Sequence, residues 1–267
     1  MANAKDYKPK DSGILCGVVG MPATGKSTLI LSAGEVGKLA VALSPKSELD
    51  RYAGNDLEYE VFWDDLWQPW AGKYQAGAFQ RFLKWLAAQA ERPATEVRTV
   101  GIDTGGAFSD LAMHEVMQQH GNDDPMSLEH GRAFYPHNQL MKQMIAVCAL
   151  LSARGKNVIV AWHGSMREQE GIGDVKEIVA NRQTGVKELR YEDKVMPVMH
   201  GSLRQSIAKD FSLWLHTKID GFGAGLRYLV QAVPSKDALS RSRLPFKEGV
   251  NTAKLPNNFK AVLEVLR

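Results

Sequence analysis

Residues 14–28 read ILCGVVGMPATGKST, an apolar run, a glycine turn and the start of a helical pattern. Ile14, Val18 and Val19 are β-branched, and a short unbroken apolar run suits a strand covered on both faces of a sheet. The turn matches G-x-x-x-x-G-K-[ST] at Gly20, Gly25, Lys26 and Ser27. That spacing has a mechanism. Glycines permit a backbone that wraps its N–H groups round a phosphate, and the following helix offers its N-terminal dipole to the anion. The cradle is Gly20, Met21, Pro22, Ala23, Thr24, Gly25, Lys26, Ser27 and Thr28. Lys26 reaches the β- and γ-phosphates, and the Ser27 hydroxyl binds Mg²⁺. The expected cofactors are therefore ATP and Mg²⁺.

Composition adds outer bounds. The 267 residues suffice for one sizeable core. A net charge of +3 is too small to argue for nucleic acid, so any basic surface has to be local. Cys16 and Cys148 lie in apolar runs and read as buried, reduced thiols. No metal-ligand spacing of Cys or His occurs. The N-terminus, MANAKDYKPKDSG, lacks the apolar region of a signal peptide, and no run of about 18 apolar residues could span a membrane. The expectation is a cytoplasmic protein with no membrane partner.

Along the chain, residues 1–12 read as a flexible tail, 13–245 as one domain and 246–267 as a C-terminal extension. After the first strand, STLILSAGEV is helical and LAVAL at 39–43 is a buried strand. A short strand is expected at 59–62 and an amphipathic helix at 77–92. VRTVGIDT at 97–104 reads as a strand, with Thr104 and Gly105 in a tight turn. A long helix at 137–156 and a buried strand at 157–164 follow. Residues 165–205 read as mobile loops, 210–220 and 225–233 as strands, and the region near 256–266 as a short helix. Alternation of strands and helices predicts an α/β fold, a mainly parallel sheet with helices on both faces.

Asp103 ends the strand VRTVGID, and ligands bind at the C-terminal edge of such sheets. It is the candidate acid that holds Mg²⁺ through water, the competing role being a cap on the next turn. Lid arginines with a substrate Asp-Arg pair soon after the first helix have no clear equivalent, and neither an N-K-x-D motif nor an L-S-G-G-Q signature occurs, which argues against small-molecule kinases, GTPases and ABC ATPases.

GMPATGKST, WDDLWQPW, VRTVGIDT, the long helix before NVIVAWHG, and RYLVQAVPSKDALSRSR come in an order that resembles one family. This is the phage-encoded AAA-type P-loop nucleotide-binding proteins with a RecA-like core, which include short RecA-like single-strand annealing proteins. The resemblance covers roughly residues 13–245, and only the phosphate-binding motif is strongly specific. It implies a RecA-like P-loop ATPase that hydrolyses ATP to ADP and phosphate at the subunit interfaces of a homo-oligomer. It also implies single-stranded DNA as partner, a role in phage DNA recombination, and a bacterial host cytoplasm.

Residue by residue, the resemblance makes His163 a γ-phosphate sensor, the plainer reading being a structural histidine. The general base is expected just after LAVAL, where Glu48 stands without the D-x-E-G context, with Asp64 and Asp65 as rivals. Lys236, Arg241 and Arg243 match the position of residues that reach a neighbour's ATP, or form a solvated basic tail. Residues 165–205 match the DNA loops by position alone. Arg167, Lys176, Arg182, Lys187, Arg190, Lys194 and Arg204 are nearly cancelled by Glu168, Glu170, Asp174, Glu177, Glu188, Glu192 and Asp193. Tyr191 is the sole aromatic there, and a salt-bridged hairpin is an equal reading. Trp63, Trp67 and Trp70 have helical spacing and read as a packing cluster. Two other functions stay open: a nucleotide-gated partner protein of a phage replication or assembly complex, and a P-loop phosphotransferase.

Overall fold

The computed structural model describes residues 13–65, 67–68, 73–121, 132–167, 175–180, 187–191, 194–200, 203, 206–221, 225–234 and 240–266. The strands are β1 (Leu15–Gly20), β2 (Leu39–Leu43), β3 (Glu58–Val61), β4 (Trp67–Gln68), β5 (Lys73–Tyr74), β6 (Thr99–Asp103), β7 (Asn157–Arg167), β8 (Val175–Ala180), β9 (Lys187–Tyr191), β10 (Lys194–Pro197), β11 (Leu213–Asp220), β12 (Arg227–Gln231), β13 (Arg241–Ser242) and β14 (Leu255–Pro256). The helices are α1 (Lys26–Ser32), α2 (Ala78–Glu91), α3 (Gly105–His120), α4 (Phe134–Ala153) and α5 (Phe259–Val265).

The main sheet runs β14-β12-β11-β1-β7-β6-β2-β3, with β10 on β7 and β13 on β11. The stretch from β11 to β3 is parallel throughout. Side-chain alternation along each strand separates two cores. Leu15, Val19, Ala40, Ala42, Val100, Ile102, Val158, Val160 and Trp162 face α2, α3 and α4. Cys16, Val18, Leu39, Val41, Leu43, Ile159 and Ala161 face α1 and α5. The expected α/β sheet with helices on both faces is thus present, and both cysteines are buried and free.

Helix α2 buries Phe79, Phe82, Leu86 and Ala90, the spacing of one helical face. Truncating Phe82 to Ala would cost about 3–5 kcal/mol. The long helix lies three residues earlier than expected, because Pro136 is tolerated in its first turn and Gly155, at φ 82°, ends it. The 256–266 region supplies α5, and its Asn258 caps the helix by accepting from Ala261 N at 2.9 Å.

Four expectations need correction. Gly105 does not sit in a turn but opens α3, a helix hidden in sequence by two leading glycines. Thr104 caps it by accepting from Ala107 N at 3.3 Å, and a Cβ at Gly105 would lie 2.7 Å from the Trp162 ring. Only glycine lets the helix approach that closely. Second, residues 165–205 are not all loop. Strand β7 continues to Arg167, β10 pairs with it, and β8 and β9 form an antiparallel hairpin. Third, the helical spacing of the tryptophans does not mark a helix among the described residues. Trp63 is 47% exposed, and Trp67 lies in the β4–β5 ribbon with its ring stacked on His114 at 4.3 Å. Trp70 lies outside the described residues, as do residues 1–12. Fourth, the helix after the glycine turn tightens into a 3-10 turn at Ala33–Val36.

Candidate functional site

Parallel pairing sets β1, β7 and β6 side by side, with Gly20 opposite His163 and Asp103 opposite Ala161. Their C-terminal ends, together with the chain leaving β2, surround the glycine turn. This is the sheet edge where α/β proteins bind ligands.

The turn has the shape its sequence demands. Ala23 (φ 62°) and Gly25 (φ 89°) are left-handed, which turns successive N–H groups inward as an anion nest. Pro22 supplies no N–H. A side chain at Gly25 would be strained at that φ and would put a Cβ 2.4 Å from Asn257 Nδ2, whose amide donates to the Gly25 carbonyl at 2.8 Å. The C-terminal extension therefore braces the turn. Thr24 and Thr217 share a 2.6 Å hydroxyl hydrogen bond that ties the turn to β11.

Lys26 is buried, and its ammonium donates to the carbonyls of Gly20 (2.9 Å) and Met21 (2.8 Å). Burial holds its pKa down to about 8, with Asp103 and Glu48 pulling up and Arg51 pushing down. A bound phosphate would supply the anion it lacks. The Ser27 hydroxyl donates to Asp103 Oδ2 at 2.7 Å, and the buried Tyr52 hydroxyl donates to the same oxygen at 2.8 Å. Asp103 Oδ1 is buried and has no hydrogen-bond partner among the described residues.

A bare carboxylate oxygen beside a serine hydroxyl fits Mg²⁺, which takes one or two protein oxygens and otherwise keeps waters and substrate phosphates. No cluster of three or more His, Cys, Asp or Glu occurs among the described residues, so a denser metal cage is not what this site offers.

Glu48 lies in a 3-10 turn, Lys46–Arg51, directly after β2. It is buried and ion-paired with Arg51 at 2.9 Å. Burial raises its pKa first and the Asp103 charge second, against Arg51 and Lys26. Asp64 and Asp65 do not reach this cavity. Asp64 accepts from Ala78 N and pairs with His114, which makes it a support for α2. Asp65 lines a separate shallow cleft with Trp63 and Arg81. His163 is partly buried, and its Nδ1 has no hydrogen-bond partner among the described residues. Burial and the Lys26 charge lower its pKa, so it is neutral near pH 7.

Arg241 and Arg243 stand elsewhere in the chain. Arg241 pairs with Trp214 near the start of β11, the end remote from the glycine turn, and Arg243 donates to the Lys209 carbonyl. Neither lines the glycine-turn cavity. Lys236 lies outside the described residues, as do Glu168, Glu170, Asp174, Arg182, Glu192, Asp193 and Arg204.

The cavity, about 340 Å³, is lined by Ala23, Gly25, Lys26, Ser27, Thr28, Leu31, Arg51 and Tyr228. Arg51, Tyr52, Tyr228 and Asn257 were not legible as site residues. For the first two a signal existed, since they lie on the loop after a buried parallel strand.

The chain matches the AAA domain family over residues 12–243 and belongs to it. No curated protein matches the chain. Three solved structures are similar in fold. A KaiC-like protein from Pyrococcus horikoshii is 11% identical, with 82% of this chain and 78% of that one covered and a TM-score of 0.40. The flagellar accessory protein FlaH from Methanocaldococcus jannaschii is 12% identical, with coverage of 89% and 86% and a TM-score of 0.38. The RadB recombinase is 12% identical, with coverage of 82% and 81% and a TM-score of 0.41.

Proposed function

We propose that this member of the AAA domain family binds Mg²⁺-ATP in the glycine-turn cavity and hydrolyses it to ADP and phosphate. The observation that carries the reading is the Ser27–Asp103 pair, 2.7 Å apart, with one Asp103 oxygen left bare beside the cradle. The turn's N–H groups and Lys26 hold the phosphates. Ser27 and Asp103 would hold Mg²⁺, which neutralises charge on the β- and γ-oxygens when bound. Glu48 is the general base, because its raised pKa keeps the carboxylate basic enough to accept a proton from water. The neutral His163, on β7 opposite Gly20, senses the γ-phosphate through its ring Nδ1, which has no hydrogen-bond partner among the described residues.

We extend the reading to ATP-dependent binding and annealing of single-stranded DNA in phage recombination. ATP would sit at the subunit interfaces of a homo-oligomer, with Arg241 and Arg243 acting on a neighbour's nucleotide. Support comes from the chain order of motifs and from the strands β8 to β10 inserted after the sensor position. The near-cancelling charges of 165–205 favour the second reading, a nucleotide-gated partner protein with little DNA affinity.

ATP hydrolysis with and without single-stranded DNA, run beside Lys26→Ala, separates the readings. DNA-stimulated turnover that the variant loses supports the recombination role. Turnover or tight binding indifferent to DNA favours the gated partner. No ATP binding at all sinks both.

A further inference from the structure

Arg51 ends the 3-10 turn that carries Glu48, and its guanidinium bridges two parts of the site. It lies 2.9 Å from Glu48 Oε2 and 3.5 Å from Ser27 Oγ, and it lines the cavity beside Lys26 and Thr28. Its side chain is 49% exposed, so it can turn between partners at little packing cost. Glu48 is far more buried and cannot follow. A triphosphate in this cavity places concentrated negative charge within reach of the guanidinium, which a single carboxylate cannot match.

We propose that Arg51 is a catalytic residue supplied in cis: it leaves Glu48 for the terminal phosphate of ATP, and its departure frees Glu48 to act as base. The proposal rests on the ATPase reading above. In the step, a water oxygen bonds to the γ-phosphorus while the bond from that phosphorus to the β–γ bridging oxygen breaks. The electron pair of the broken bond stays on ADP. The water proton passes to Glu48 and then to phosphate. Arg51 donates to the γ-oxygens, where charge builds. ADP lacks that phosphate, so with ADP the ion pair to Glu48 persists. The empty enzyme thus holds its base engaged until ATP arrives.

The test uses the full chain as wild type, Arg51→Ala and Arg51→Lys. Calorimetric titration with Mg-ATP and with Mg-ADP reads affinity, single-turnover hydrolysis reads rate, and thermal unfolding without nucleotide reads the fold. Arg51→Ala should slow hydrolysis at least about 100-fold. It should weaken ATP about tenfold while ADP stays within about twofold, and it should lower Tm only modestly, because Arg51 itself is half-exposed but its loss leaves the buried Glu48 without its ion-pair partner. Arg51→Lys should restore ATP affinity but not rate, since an ammonium lacks the planar fork. An Arg51→Ala protein with rate and ATP preference close to wild type overturns the proposal and leaves the ATPase reading intact. A slowed rate with unchanged ATP preference overturns the phosphate contact. Wild type that binds ATP without turnover overturns the catalytic role, and wild type that binds neither nucleotide overturns both readings.

Discussion

Asp103, the last residue of β6, and Asp64, three residues after β3, are both buried carboxylates, yet they are provisioned in opposite ways. Asp64 spends one oxygen on Ala78 N (2.8 Å) and the other on His114 Nδ1 (3.0 Å), tying the start of α2 to α3. Nearby, Asp110 takes His200 at 2.9 Å. Asp103 receives two hydroxyls on one oxygen and leaves the other bare. An unpaired buried charge is costly, and a group complete in its own fold has no reason to carry that cost. Beside α3, His114 completes Asp64 and His200 pairs with Asp110. On the glycine-turn side Asp103 keeps one oxygen without a hydrogen-bond partner among the described residues, as the proposed Mg²⁺ site requires.

The contrast can be broken at several points, and the largest effect belongs to Asp103. Asp103→Asn should lower ATP turnover about 10²–10³-fold, while leaving thermal stability equal or higher, because a charge without a full partner set is removed. A lowered Tm together with retained turnover would reverse the assignment of the two carboxylates.

Acid should strike the α3 side next. Burial, with the neighbouring His200 acting the same way, depresses the His137 pKa to about 4, below its ordinary 6.5. The unfolded chain therefore binds the proton more readily between those values. The histidine costs nothing above pH 6.5, destabilises progressively as pH falls towards 4, and levels off below, for at most about 3 kcal/mol. Urea unfolding of wild type and His137→Gln at pH 7 and pH 4.5 checks this. The variant should lose less stability on acidification.

Asp64→Ala should cost about 2–3 kcal/mol, since it leaves Ala78 N and His114 without their acceptor. Chemical denaturation should register that loss while ATP affinity at saturating Mg²⁺ stays unchanged. The smallest effect is Tyr52→Phe, which removes one hydroxyl from Asp103 and should weaken Mg-ATP about fivefold, the worth of about 1 kcal/mol. Titration calorimetry resolves it, and no change would mean that Ser27 alone orients the acid.

Part of this site is readable from residues in a row. Gly20 to Thr28 form one continuous segment, so its chemistry is legible without knowing the fold. Asp103 is nearly as legible, because a carboxylate ending an apolar strand has few other uses. Arg51 and Tyr52 are different. Each is an ordinary surface-type residue in sequence, and they matter only because β2 lies beside β6 and its exit loop reaches Ser27 and Asp103. Asn257 is further still from legibility, since 232 residues separate it from the Gly25 carbonyl it braces. Helix α3 escaped because its opening glycines carry poor helix propensity, which tertiary packing against Trp162 overrides.

What sequence alone determined was local and periodic: a strand–glycine turn–helix cradle, buried strands marked by unbroken apolar runs, and an α/β order. These follow from backbone sterics and hydrophobic burial, which act over a few residues. What only the tertiary structure decided was which distant side chains meet. Strand order brought Glu48, Arg51, Tyr52 and His163 to Lys26 and Asp103, and it moved Asp64, Arg241 and Arg243 away. Strand pairing is a long-range choice, made by the whole sheet and both of its covering cores at once, and no local pattern of residues encodes it.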